Sequence, residues 1–235
     1  AGALLQYARD MQYDAMPHIT DFRITQKSDF LVIDAASRQN LEIETNLSGG
    51  KEFTLVSLMD KCANPMGARL LRRWLHGPVT DQALIKTRQL AVENCIERVD
   101  TLELQKLLRQ CGDLERILTR IALNTARPRD LVRLRLALQC LPAIQNTLAI
   151  ADADLLASAA TRLGPFEQTL DLLEKAVLDE PAAVIRDGGV IRPEFDPEFF
   201  ELHTLSKNTG DFLLKLEQQE RENTGIATLK VKYNR

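Results

Sequence analysis

The sequence predicts a mainly α chain: a multi-helical core, one long projecting lever helix and very few short strands. Three observations predict this. From Leu55 onward apolar residues recur at i, i+3, i+4 and i+7, the period of a helix with one buried face. Asn64-Pro65 and Asp196-Pro197 each set a capping residue before a proline, a pair that opens helices. The composition, 45% hydrophobic and 27% charged with 11 Gly and 9 Pro, excludes collagen-like and low-complexity chains. A chain of 235 residues is long enough to bury a sizeable core without staples.

In chain order, Leu4, Leu5 and Ala8 form an amphipathic turn, and Phe30-Leu31-Val32-Ile33 reads as one short buried strand. The helix opened by Asn64-Pro65 carries Met66, Leu70, Leu71, Trp74 and Leu75 on one face, which makes Trp74 a core residue; Gly77-Pro78 stops it. A second helix runs from Asp81 to about Arg98 and a third over roughly 101–110, ended by Gly112. Leu114, Ile117, Leu118, Ile121 and Ala122 form the next stripe. Pro128 opens a helix with Leu131, Leu134 and Leu138, and two more fit about 143–162 and 165–179. Asp187-Gly188-Gly189 between Val184-Ile185 and Val190-Ile191 signals a small hairpin.

The last long element starts at Asp196-Pro197 and meets no breaker but Gly210 before Gly225; some 27 helical residues would span roughly 40 Å. Its apolar positions, Phe199, Leu202, Leu205, Phe212, Leu213 and Leu216, give way to the polar run 217–222, so a half-buried strut is expected to project from the core. After Gly225, Leu229, Val231 and Tyr233 alternate with Lys230, Lys232 and Asn234 as a strand whose partner lies in other sequence. That unpaired strand and the lack of an initiator Met lead us to expect a piece of a longer chain.

The net charge of −3 is uneven: residues 61–140 carry +7, while the flanking segments carry −4 and −6. A +7 block attracts phosphate, but its arginines alternate with glutamates at helical spacing, the pattern of a salt-bridged surface. Cys62, Cys95, Cys111 and Cys140 form no CxxC pair and His18, His76 and His203 are scattered, so no zinc site is expected and reduced thiols in the cytoplasm are. No apolar run approaches the roughly 18 residues of a membrane helix. Gly49-Gly50-Lys51 is the nearest approach to a phosphate loop, but Thr45 stands where the first Gly belongs and Glu52 where the hydroxyl does. We therefore expect no catalytic, cofactor-binding or metal-ligating residue here.

Several blocks in order resemble the MutS family of DNA mismatch-recognition proteins: Leu4-Leu5-Gln6-Tyr7-Ala8, the run from Asp34 to Glu42, Pro65 to Leu75, Gly112 to Arg116, Pro128 to Leu131, Arg186-Asp187-Gly188-Gly189 and Thr228-Leu229-Lys230-Val231. The resemblance implies the end of a connector domain over 1–22, a helical core with its lever over 23–225, and the first strand of a DNA clamp over 226–235. It implies duplex DNA with mismatches, other MutS domains and a homodimer as partners of the complete protein, which resides in the cytoplasm and on the nucleoid. ATP and Mg belong only to that complete protein. Lys230, Lys232 and Arg235 are the candidate DNA contacts, with a solvent-facing strand side as the equal alternative. Phe199-Phe200-Glu201 matches the letters of the family's mismatch wedge, yet its place on the lever reads as core packing. Arg38 and Asn40 are expected to tie the short strand to the helices, while Arg72 and Arg73 meet a neighbouring domain or solvent. Two other readings stay open: a free-standing helical scaffold that binds a protein through its +7 block and lever, and a recombination relative without mismatch reading.

Overall fold

The structure, a computed structural model, describes residues 2–12, 27–207, 209–226 and 228–230. After α1 (Gly2–Gln12), one short polar side chain after another fixes a helix start. Asp34, Thr54, Asn64, Asp81, Asp100 and Asp113 each accept a hydrogen bond from a first-turn N–H. They begin, in order, α2 (Ala35–Asn40), α3 (Leu55–Met59), α4 (Pro65–His76), α5 (Gln82–Glu97), α6 (Thr101–Cys111) and α7 (Leu114–Ala122). Each cap satisfies backbone donors that have no partner inside the helix and stabilises it by about 1 kcal/mol. Gly112, at φ 62°, ends α6 in a conformation that a side chain disfavours.

The chain continues through α8 (Pro128–Leu148), α9 (Asp154–Arg162), α10 (Glu167–Ala176), α11 (Pro197–Lys207) and α12 (Thr209–Thr224). α8 is the axis of the core and packs against α6, α7, α9 and α10. Ala137, Cys140, Ile144 and Leu148 meet Cys111 of α6 and Ala160 of α9 on one side. On the other, Leu134 meets Ile117 of α7 with Leu173, Ala176 and Val177 of the α10 end. Ala137 is fully buried, and its small side chain lets α6 approach closely.

Four expectations from the sequence are corrected. No helix break falls near residue 143, because α8 runs unbroken through Pro142. Proline removes one hydrogen bond and crowds the preceding turn, at a cost of about 3 kcal/mol. Pro142 lies on the exposed side, while Leu141, Ile144 and Leu148 are each at most 8% exposed. Burying each of them stabilises by about 1.5–3 kcal/mol, and together they hold the helix straight through.

The strand expected at 30–33 is a single bridge from Phe30 to Val79, with Leu31 N–H donating to Pro78 O (2.8 Å) and Thr80 N–H to Asp29 O (3.2 Å). One bridge is all the contact offers, because α4 ends at Gly77 and α5 starts at Gln82. Gly77 suits the close approach there, since a Cβ would lie 3.2 Å from the Phe30 ring and press it aside by a few tenths of an ångström. The hairpin at 184–191 is likewise absent. Ile185–Asp187 form a 3₁₀ turn, and Ile191 bridges instead to Val177 at the end of α10. A partner anchored in the core outcompetes an exposed two-strand ribbon.

Finally, Trp74 is 39% exposed and Phe199 37%, so neither is core. Trp74 stacks under the Arg88 guanidinium at 3.9 Å, above a groove of about 560 Å³ floored by Val79, Ile85, Val92 and Ile96. Phe199 faces His203 (5.8 Å between rings), and the main contacts of α11 among the described residues are with the 3₁₀ turn Pro193–Phe195 and with α12. The expected single long helix is described as α11 and α12 on either side of residue 208, which lies outside the described residues, and its stripe is not buried: Leu202 and Leu205 are exposed and Leu213 and Leu216 half-buried. The Phe212 side chain is outside the described residues. Past α12, Leu229 O accepts from Arg221 Nε (2.9 Å) and Leu229 N–H donates to Ile226 O (3.2 Å), turning the chain back on the helix.

Candidate functional site

Polar ties between sequence-distant segments are the main chemical features of the described residues. The first joins the segment after Asp34 to α4. Arg38, in the last turn of α2, places Nη1 2.8 Å from His76 Nδ1 and donates from Nη2 to His76 O (3.2 Å) at the end of α4. His76 Nε2 lies 2.7 Å from Glu44 Oε2. Arg72, one turn earlier, donates to Asp60 (2.9 Å) and lies 3.6 Å from Glu44. Arg38 therefore ties α2, rather than the short strand, to the end of α4, and Arg72 is paired with Asp60 while its side chain stays partly exposed.

A second tie crosses from α4 to α7. The Arg69 guanidinium meets the Asp113 carboxylate in a two-point contact (2.8 and 2.6 Å), a planar match of strong charge-assisted bonds. Hydrogen bonds from Arg69 hold Asp113 below the usual carboxylate range, and Asp113 in turn raises Arg69. Next along the chain, Arg120 of α7 grips Asp130 in the first turn of α8 (2.9 and 2.6 Å). Burial alone would raise Asp130, but the Arg127 N–H and the Arg120 guanidinium outweigh it, so its carboxyl is also held low.

The third tie sits at the root of α11. Arg135 is only 5% exposed, yet it lies in the middle of α8. Its Nη1 donates to Val177 O (2.9 Å) and its Nη2 to Asp179 (2.6 Å). Arg192 reaches the same two acceptors, Val177 O at 3.0 Å from Nε and Asp179 at 2.9 Å from Nη2. Arg192 N–H also donates to Ala176 O (2.8 Å). Asp179 is held low by the Arg192 hydrogen bond first and by Arg135 with it. The centre of the core is thereby joined to residue 192, one residue before the turn that carries α11.

Arginines of the +7 block are taken up in ion pairs, but Arg69, Arg72, Arg98, Arg120 and Arg135 pair with aspartates of other segments rather than with glutamates one turn away on the same helix. Of the candidate DNA contacts, Lys230 is exposed beside the turn after α12, while Lys232 and Arg235 lie outside the described residues. Cys62, Cys95, Cys111 and Cys140 are free thiols, and burial pushes the Cys111 thiol up to about 11. Among the described residues no group of three or more His, Cys, Asp or Glu side chains is placed to hold a metal ion. No described helix is long and apolar enough to cross a membrane.

The reading of the sequence missed the Arg135–Asp179–Arg192 knot and the Arg69–Asp113 pair. Arg135 had a signal: it falls on the stripe of Leu131, Leu134 and Leu138, where a charge needs a buried partner. Comparison with known families gives one finding over most of the chain: the family model described as MutS domain III matches residues 36–231.

Proposed function

The chain belongs to the MutS family through its domain III, and from that premise we propose that it is the core and lever of a mismatch-repair protein that couples a DNA clamp to a distant ATPase. The observation that carries this reading is the knot of Arg135, Val177, Asp179 and Arg192, which fastens the root of α11 to the central helix of the core. A stiff helix rooted this way turns a small repacking at its base into a larger displacement at its far end. Residues 1–22 then close the connector domain, 23–225 form core and lever, and 226–235 begin the clamp. The work is mechanical. ATP and Mg²⁺ are handled elsewhere in the complete protein, a cytoplasmic homodimer that meets mismatched duplex through its clamp, where Lys230, Lys232 and Arg235 begin the phosphate-facing surface.

Two measurements test this. By itself the chain should bind fluorescent duplex no tighter than roughly 10⁻⁴–10⁻⁶ M at physiological salt, without preference for a mismatch. Nanomolar, mismatch-selective binding would show a reader rather than a coupler. In the complete protein, Arg135→Met combined with Arg192→Met should lower the stimulation of ATP hydrolysis by mismatched duplex while basal hydrolysis persists. An unchanged stimulation ratio would remove the knot from the coupling path.

A further inference from the structure

The imidazole of His76 is held between a guanidinium and a carboxylate, and the hydrogen-bond chemistry leaves one arrangement of its protons. Arg38 Nη1 lies 2.8 Å from Nδ1, and Glu44 Oε2 lies 2.7 Å from Nε2. A guanidinium nitrogen donates and never accepts, so Nδ1 must offer its lone pair. The ring proton then sits on Nε2 and is donated to Glu44. His76 is neutral in this geometry, in the Nε2–H tautomer.

We infer that His76 is a proton-operated latch between α2 and α4. A second proton has only Nδ1 to go to. There it sets a donor against a donor, adds a positive charge beside Arg38, and breaks the shorter of the two Arg38 bonds. The charged groups around the ring decide which side opens. Glu44, from the loop after α2, strengthens its hold on an imidazolium by charge. Arg72 of α4, 3.6 Å from Glu44, is engaged with Asp60, so it does not take the carboxylate away. The ring therefore stays with Glu44 while Arg38 keeps only the 3.2 Å contact to His76 O. Acidification loosens residues 35–42 from the end of α4 and leaves the α4 fold in place.

The test is nuclear magnetic resonance on the full 235-residue chain. At about pH 8, long-range proton–nitrogen correlations should show the Nε2–H tautomer. On acidification the His76 ring signals and the amides of residues 35–42 should shift together, with one shared midpoint. His76→Gln offers one acceptor and one donor but takes no proton, and its 35–42 amides should stay fixed over the same titration. An Nδ1–H tautomer at the higher pH would overturn the latch. So would amides that ignore His76 protonation, or that titrate unchanged in H76Q. Should that variant fail to fold, the wild-type tautomer and the shared midpoint decide the question by themselves.

Discussion

Arg135 and Arg192 converge on one buried carbonyl, and the redundancy sets a measurable energy. Val177 is 3% exposed, and its carbonyl accepts from Arg135 Nη1 at 2.9 Å and Arg192 Nε at 3.0 Å. Arg135→Met keeps an apolar stem of similar length and removes a buried charge, so the loss of its bonds is offset by relief of guanidinium desolvation. Val177 O retains Arg192, no buried acceptor is orphaned, and the single variant should cost only about 1 kcal/mol. Arg192→Met should cost a similar amount for the same reason. In the double variant Val177 O loses both donors at once, and an unsatisfied buried acceptor costs about 1–3 kcal/mol. The double variant should therefore exceed the sum of the singles by about 1–2 kcal/mol, well outside the roughly 0.3–0.5 kcal/mol within which independent sites add. Urea unfolding of the four proteins, followed by far-ultraviolet circular dichroism, gives the cycle. Additivity would refute the shared-carbonyl argument and leave the two arginines as independent ties.

Two other outcomes follow from the core and its carboxylates. Ile117 is 2% exposed, so Ile117→Ala should destabilise by about 2–5 kcal/mol and Ile117→Val by about 0.5–1.5 in the same assay; equal effects would mean that the site collapses around any deletion. Asp113 and Asp130 are held low in the folded chain, so their stabilisation is present above the ordinary carboxylate pKa of about 3.9 and is lost as pH falls through their folded values. The urea midpoint should therefore drop on acidification from about pH 5 downward, and Asp113→Asn with Asp130→Asn should flatten that drop; an identical slope would assign acid sensitivity to other groups.

Much of the fold was legible because its signals are local. Asn64-Pro65, Asp81 and Asp100 carry their caps within a few residues, and helices begin after each of them. Gly112 ends α6 for an equally local reason. Pro142 shows the limit: its local penalty is real, and only the burial of Leu141, Ile144 and Leu148 overrules it. Trp74 lies on the apolar stripe of α4, but that stripe at Trp74 meets Arg88 of α5 and an open groove along that helix rather than a closed core.

The candidate site was less legible, because each tie joins residues 10 to 44 positions apart. Periodicity says that Arg135 shares a face with leucines, but not that Val177, Asp179 and Arg192 wait across from it. The sequence alone determined where most helices begin, which faces are apolar and to which family the ordered motifs point, since these depend on neighbours within one or two turns. The tertiary structure decided which arginines are buried, which carboxylates they hold down, that α8 passes through its proline, and that the turn before α11 is fastened to the core at residue 192. Those outcomes depend on partners brought together only when the chain folds, where desolvation makes an unpaired charge costly and selects the pairs that remain.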